Sequence, residues 1–182
     1  MQPLDNIKVL DFSTLLPGPL AGLVLAEAGA QVIKVERPGF GEEMRHYPPK
    51  WGDQSANFAL LNRGKKSLTV DLKDKLQIEQ LKPLICEADI LLEQFRPGVM
   101  ARLGLDYETV KGWNPGLIYC SITGYGQSGP KAQLAGHDLN YIGDTGLLDL
   151  SMGPADKPTI PPALIADIGG GTYPALVNIL LA

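Results

Sequence analysis

Cysteine is nearly absent: Cys86 and Cys120 are the only two in 182 residues. That is too few for a disulfide framework or a zinc cluster, and it fits a reducing compartment. Histidine is as scarce, with His46 and His137 alone, and no close spacing of His, Cys and carboxylates marks a metal site. An excess of positive charge is also missing. The formal net charge is -4, which argues against nucleic acid or an anionic membrane as the main partner. It still leaves room for a local basic site facing a phosphorylated ligand. No apolar run reaches the ~20 residues that span a bilayer. The N-terminus does not pass from basic to apolar to small residues as a secretion signal does. Internal repeats and low-complexity segments are missing too. These absences lead us to expect a cytoplasmic protein with no membrane partner, no nucleic-acid partner and no metal.

What is present is ordinary globular material. Apolar residues make up 45% and charged residues 20%, and the length suits one well-packed domain. IKVLDFS (7–13) is a short strand pattern broken by LLPGP. Residues 19–29 place Leu20, Leu23 and Val24 at helical spacing and stop at Gly29. QVIKVERP (31–38) is a buried-strand pattern closed by proline, which completes a strand–helix–strand unit. Residues 38–54, rich in Gly, Pro and charge, are expected to form a long surface loop. KKSLTVDL is a further strand, DKLQIEQLKPLICEA a helix strained at Pro83, and DILLEQF another strand. ARLGLDYETVKGW is one short helix or two, and GLIYCSITGYG (116–126) is the last strong strand. The alternation predicts an α/β fold: an open, Rossmann-like sheet of mostly parallel strands flanked by helices. The run PALVNILLA (174–182) is apolar on nearly every side, so we expect a helix that is either continued or covered by something else.

In open parallel sheets ligands bind beyond the carboxyl ends of the strands, here the loops after Ser13, Glu36, Phe95 and Gly124. Arg37, in ERP, and Arg96, in FRPG, stand at two like strand ends, where they are suited to phosphate or to stacking on a purine. A solvated loop arginine is the plainer alternative for each. PGP at 17–19 lacks the GxGxxG spacing of a dinucleotide site. The stretch AGHDLNY sets His137 beside Asp138. A lone histidine is more often structural than catalytic, and Asp138 is placed to cap a helix. Asp167, in LIADIGGG, is set among apolar and small residues, where an unpaired carboxylate is costly. A buried acid there needs a partner or a task, and its pKa is expected to rise. His46 lies in a loop pattern without apolar context.

Taken together, IKVLDFSTLLPGPLAGLVLAEAGAQVIKVERP, NRGKKSLTVDLK, ADILLEQFRPGVMARLGL, LIYCSITGYGQSGP and AGHDLNYIGDTG resemble the family III CoA-transferase superfamily, most closely its α-methylacyl-CoA racemase branch. The resemblance covers nearly the whole chain. It implies that residues 1–182 correspond to the N-terminal part of the family's large CoA-binding α/β domain, without its smaller second domain. It implies His137 and Asp167 as the two acid/base groups of α-proton exchange in a 2-methylacyl-CoA thioester. Arg37, Arg96 and the Asp71, Leu72, Lys73 segment would contact coenzyme A. The only cofactor implied is coenzyme A itself, carried as part of the substrate, and the implied assembly is a homodimer. In the transferase branch the acid at the Asp138 position is the nucleophile, and a truncated, non-catalytic acyl-CoA-binding fragment is a third reading.

Overall fold

A computed structural model describes residues 1–151, 153–154 and 156–182. Five short strands form one sheet: β1 (Lys8–Asp11), β2 (Gln31–Glu36), β5 (Lys66–Thr69), β6 (Ile90–Glu93) and β7 (Ile118–Ser121). Their order across the sheet is β5-β2-β1-β6-β7, and every pairing is parallel. A two-stranded antiparallel ribbon, β3 (Lys50–Trp51) with β4 (Gln54–Ser55), stands apart from it. The chain winds outward from β1 to β2 and β5, then crosses back to lay β6 on the other side of β1. That reversal opens a crevice between the carboxyl ends of β1 and β6, the place where such sheets take ligands.

Alternation along the strands supplies both faces. Leu10 and Leu91 point to one side, against α3 (Lys75–Glu87), α4 (Val99–Leu103) and α5 (Tyr107–Trp113). Val9, Val32, Ile90 and Leu92 point to the other, where α1 (Pro17–Glu27) brings Ala21 and Leu25. Leu176 and Ile179 of α8 (Tyr173–Leu181) close that second core. The helix 75–87 is continuous through Pro83, and Asp74 caps its start by accepting from the Leu76 N–H.

The expected long loop at 38–54 is more structured than its composition suggested. It contains a 3-10 turn, Glu43–His46, and leads through the ribbon into α2 (Ala56–Asn62). Ser55 caps α2 by accepting from the Phe58 N–H. His46, which lacks apolar neighbours in sequence, stacks on the Phe40 ring at 4.0 Å and reaches the Phe40 carbonyl at 2.9 Å.

Buried charge fixes the loop after β1. Lys65 Nζ lies 2.9 Å from Asp11 Oδ2, and it also donates to the Pro19 carbonyl and Asn62 Oδ1. Lys34 Nζ lies 2.7 Å from Glu42 Oε2, with both side chains at most 2% exposed. Burial pushes the Asp11 carboxyl up, but Lys34 and Lys65 outweigh it and hold it below its ordinary value. Buried ions of this kind are tolerated only when each finds a partner, and here each does.

Candidate active site

The site is built from three late elements and the two loops at the crevice. After β7 the chain runs through a glycine-rich segment to α6 (Asp138–Asp144), continues into α7 (Leu147–Ser151), and returns through a π-helical turn, Ala166–Thr172, into α8. Single π turns recur at functional sites because they displace a residue from the regular ladder. Here the displaced turn carries Asp167.

His137 is the N-cap residue of α6, in extended conformation, and its N–H donates to Asn140 Oδ1 at 2.9 Å. Asp138, expected as a cap, is instead the first residue inside the helix. It is only 5% exposed, and its Oδ1 accepts the Asp167 N–H at 2.8 Å. That bond joins the α6 start to the π turn across 29 residues of sequence. Asp167 is half-buried. Desolvation raises its pKa, the charge on Asp138 raises it further, and His137 opposes the rise. The three residues therefore share one electrostatic neighbourhood.

His137 and Asp167 open on a cleft of about 760 Å³. His137, Asp167 and Arg96 line it, together with Thr14 and Leu15 from the loop after β1. Asp138 is not among the lining residues; its carboxylate is turned into the wall. Tyr141 braces that wall. Its hydroxyl donates to the Gly136 carbonyl at 2.7 Å, and its ring meets Tyr125 edge-on at 5.2 Å. A Cβ on Gly136 would come within 2.7 Å of the Tyr141 ring, and one on Gly124 would overlap its hydroxyl, so a side chain at either position would displace Tyr141. Sequence reasoning passed over Tyr141, although the glycines around it were the available signal.

Coenzyme-facing candidates are spread along the same carboxyl edge. Arg96 is exposed after β6 and lines both this cleft and a second cavity of about 530 Å³ beside Glu93, Tyr107 and Tyr119. Arg37 follows β2, two strands away, roughly 10 Å across the sheet. Its Nε donates to the Gly41 carbonyl at 3.1 Å and its guanidinium lies 4.0 Å over the Phe40 ring. It lines neither of these cavities. Asp71, Leu72 and Lys73 follow β5: Leu72 packs on the core, and Asp71 Oδ1 accepts the Lys73 N–H. The order along the edge is thus Asp71–Lys73, Arg37, Thr14, Arg96.

A parallel α/β sheet with a cleft lined by His137, Asp167 and Arg96 at its topological switch point has its cavity where sheets of this kind take ligands. The chain belongs to CoA-transferase family III, whose model matches residues 4–182. Human succinyl-CoA:glutarate CoA-transferase is 39% identical over 174 residues, 95% of this chain and 40% of that protein. Mouse alpha-methylacyl-CoA racemase is 40% identical over 179 residues, 98% of this chain and 43% of that protein. The crystal structure of a CAIB/BAIF family protein from Brucella suis superposes with a TM-score of 0.91 at 39% identity, covering 99% of this chain and 48% of that one. The chain therefore spans less than half the length of each of these relatives.

Proposed function

We propose that the chain is an acyl-CoA racemase or epimerase domain that exchanges the α-proton of 2-methylacyl-CoA thioesters between two faces. The observation that carries this reading is the division of labour among three residues. His137 and Asp167 face the cleft, whereas Asp138 is buried with its carboxylate on the Asp167 N–H. Inversion at a carbon beside a thioester needs one group to remove the proton and a second, protonated, to return one from the opposite side. The desolvation and the Asp138 charge that raise the Asp167 pKa favour its protonated form, so it is suited to be the donor when His137 is the base. For the other enantiomer the roles exchange. The C–H pair of electrons passes into the enolate and returns to carbon when the second proton arrives, so no net charge leaves the cleft.

The coenzyme portion is placed along the carboxyl edge, with Arg96 nearest the reacting centre, then Arg37 and the Asp71, Leu72, Lys73 segment. We place the protein in the cytoplasm and take its working form as a homodimer. The second reading is a CoA-transferase in which Asp138 attacks the acyl carbon to form an anhydride and then a thioester with coenzyme A. The names of several relatives favour it. The burial of Asp138 behind the cleft wall weighs against it. The deciding experiment is incubation of the chain with a 2-methylacyl-CoA in deuterated water. Deuterium at the α-carbon supports the racemase reading. No exchange, together with hydroxylamine trapping of an acyl group on Asp138, replaces it with the transferase.

A further inference from the structure

We infer that the backbone N–H of Thr14 is the hydrogen-bond donor for the thioester carbonyl oxygen, and for the enolate oxygen that develops from it. The inference rests on the reading of the cleft as an acyl-CoA site, but the residue and its support come from a part of the molecule which that reading does not use. The loop after β1 is held on both sides of Thr14 by buried charge. The Ser13 N–H and hydroxyl both donate to Asp11 Oδ1. The Ser13 carbonyl accepts from Lys34 Nζ at 2.8 Å. The Leu15 N–H donates to Glu42 Oε1 at 2.7 Å, with Leu15 in the left-handed region at φ 63°. A leucine there is strained and persists only where its surroundings impose it. Further along, the Gly18 N–H donates to Gln94 Oε1 at 2.9 Å.

Thr14 itself, half-buried and part of the cleft wall, has no hydrogen-bond partner among the described residues. Its N–H belongs to the same peptide unit as the Ser13 carbonyl. In a trans peptide these two groups point in opposite directions, so the bond to buried Lys34 turns the Thr14 N–H away from that ammonium, at a residue that lines the cleft. The ammonium on the carbonyl also polarises the peptide and strengthens the N–H as a donor, as in a chain of coupled hydrogen bonds. Lys34 is on this account a positioning residue, with Glu42 and Asp11 holding the flanks. Donors that are fixed before reaction and aimed at developing charge are the effective ones.

The test removes that single N–H by replacing the Ser13–Thr14 amide with an ester, using the α-hydroxy analogue of threonine at position 14. Two ligands are compared, a 2-methylacyl-CoA thioester and the thioether in which its carbonyl is a methylene. The unmodified chain should bind the thioester better than the thioether. The ester-linked chain should lose up to about tenfold of that preference, the net worth of one hydrogen bond. Its exchange kcat should fall by ~10² or more, with thioether affinity unchanged. As a measurement that needs no variant, the Thr14 amide proton should move downfield with the thioester and not with the thioether. Equal loss of both affinities, an unchanged exchange rate, or an amide shift identical for the two ligands would overturn the assignment. If the unmodified chain prefers the thioester through Thr14 yet exchanges no α-proton, the donor stands and the racemase reading falls.

Discussion

Asp167 and Asp138 are neighbours with opposite circumstances, and single substitutions should separate their roles. Asp167 has a folded-state pKa above its ordinary value because of desolvation and the Asp138 charge. The fold thus favours its protonated form. That contribution is fully present below the unfolded pKa and is lost as pH rises through the raised folded value. Asp167→Asn is therefore expected to stabilise the protein at neutral pH, with the gain vanishing in acid, while α-proton exchange falls by ~10² or more. Thermal melts across pH and deuterium incorporation measure the two effects. His137→Ala should match the activity loss without the pH-dependent gain. Asp138→Asn keeps an oxygen to accept the Asp167 N–H, so it should cost a racemase little and abolish a transferase. The rise of the Asp167 pKa was legible in sequence from its apolar and small neighbours, while the roles of the three residues stood only as what motif order implies. Their proximity was not legible, because it depends on a π turn and a side-chain-to-backbone bond that no periodicity announces.

Among the elements, the strands and the longer helices were legible because burial imposes a period on them. Val9 and Leu10 must go to opposite faces, and the spacing of Ile78, Leu81 and Ile85 allows only a helix. The segment 38–62 was not legible, since polar residues there serve the interior. Glu36, at the end of β2, accepts from Arg45, from Ser67 Oγ and from the Glu42 N–H. Desolvation alone would raise its pKa, but the hydrogen bonds from Arg45 and Ser67 bring it down to about 2. A depressed carboxylate contributes stability above its unfolded pKa and loses it as pH falls through the folded one. Acid unfolding should therefore show a component between pH 4.5 and about 2 that depends on this link. Arg45→Met is expected to shift that component toward higher pH and to lower the melting temperature at pH 7, because Glu36 would remain buried without its charge partner. A pH titration of ellipticity for the two proteins checks it.

At the scale of the molecule, parallel pairing was legible from the alternation of strands and helices, but the position of β6 beside β1 was not. That position follows from the crossover through α3 and sets the crevice. The outer side of α8 is the remaining feature of this scale. Ala175, Leu176 and Ile179 are buried against the sheet, while Val177 is 55%, Leu180 62% and Leu181 81% exposed. Tyr173 on the same helix and Leu139 on α6 are exposed as well. A helix at a finished surface carries a polar stripe opposite its core face, and this one carries Asn178 between apolar neighbours. Burying large apolar side chains is worth about 1.5–3 kcal/mol each, enough for several together to drive association. The chain is expected to self-associate through α8 with the 137–147 segment close to the contact. Sedimentation over a wide concentration range should show a dimer or larger assembly, and Leu180→Lys with Leu181→Glu should shift it toward monomer without lowering the melting temperature of the monomer. A concentration-independent monomer in the unsubstituted chain would mean that this helix stays wet and that the apolar face has no self-partner.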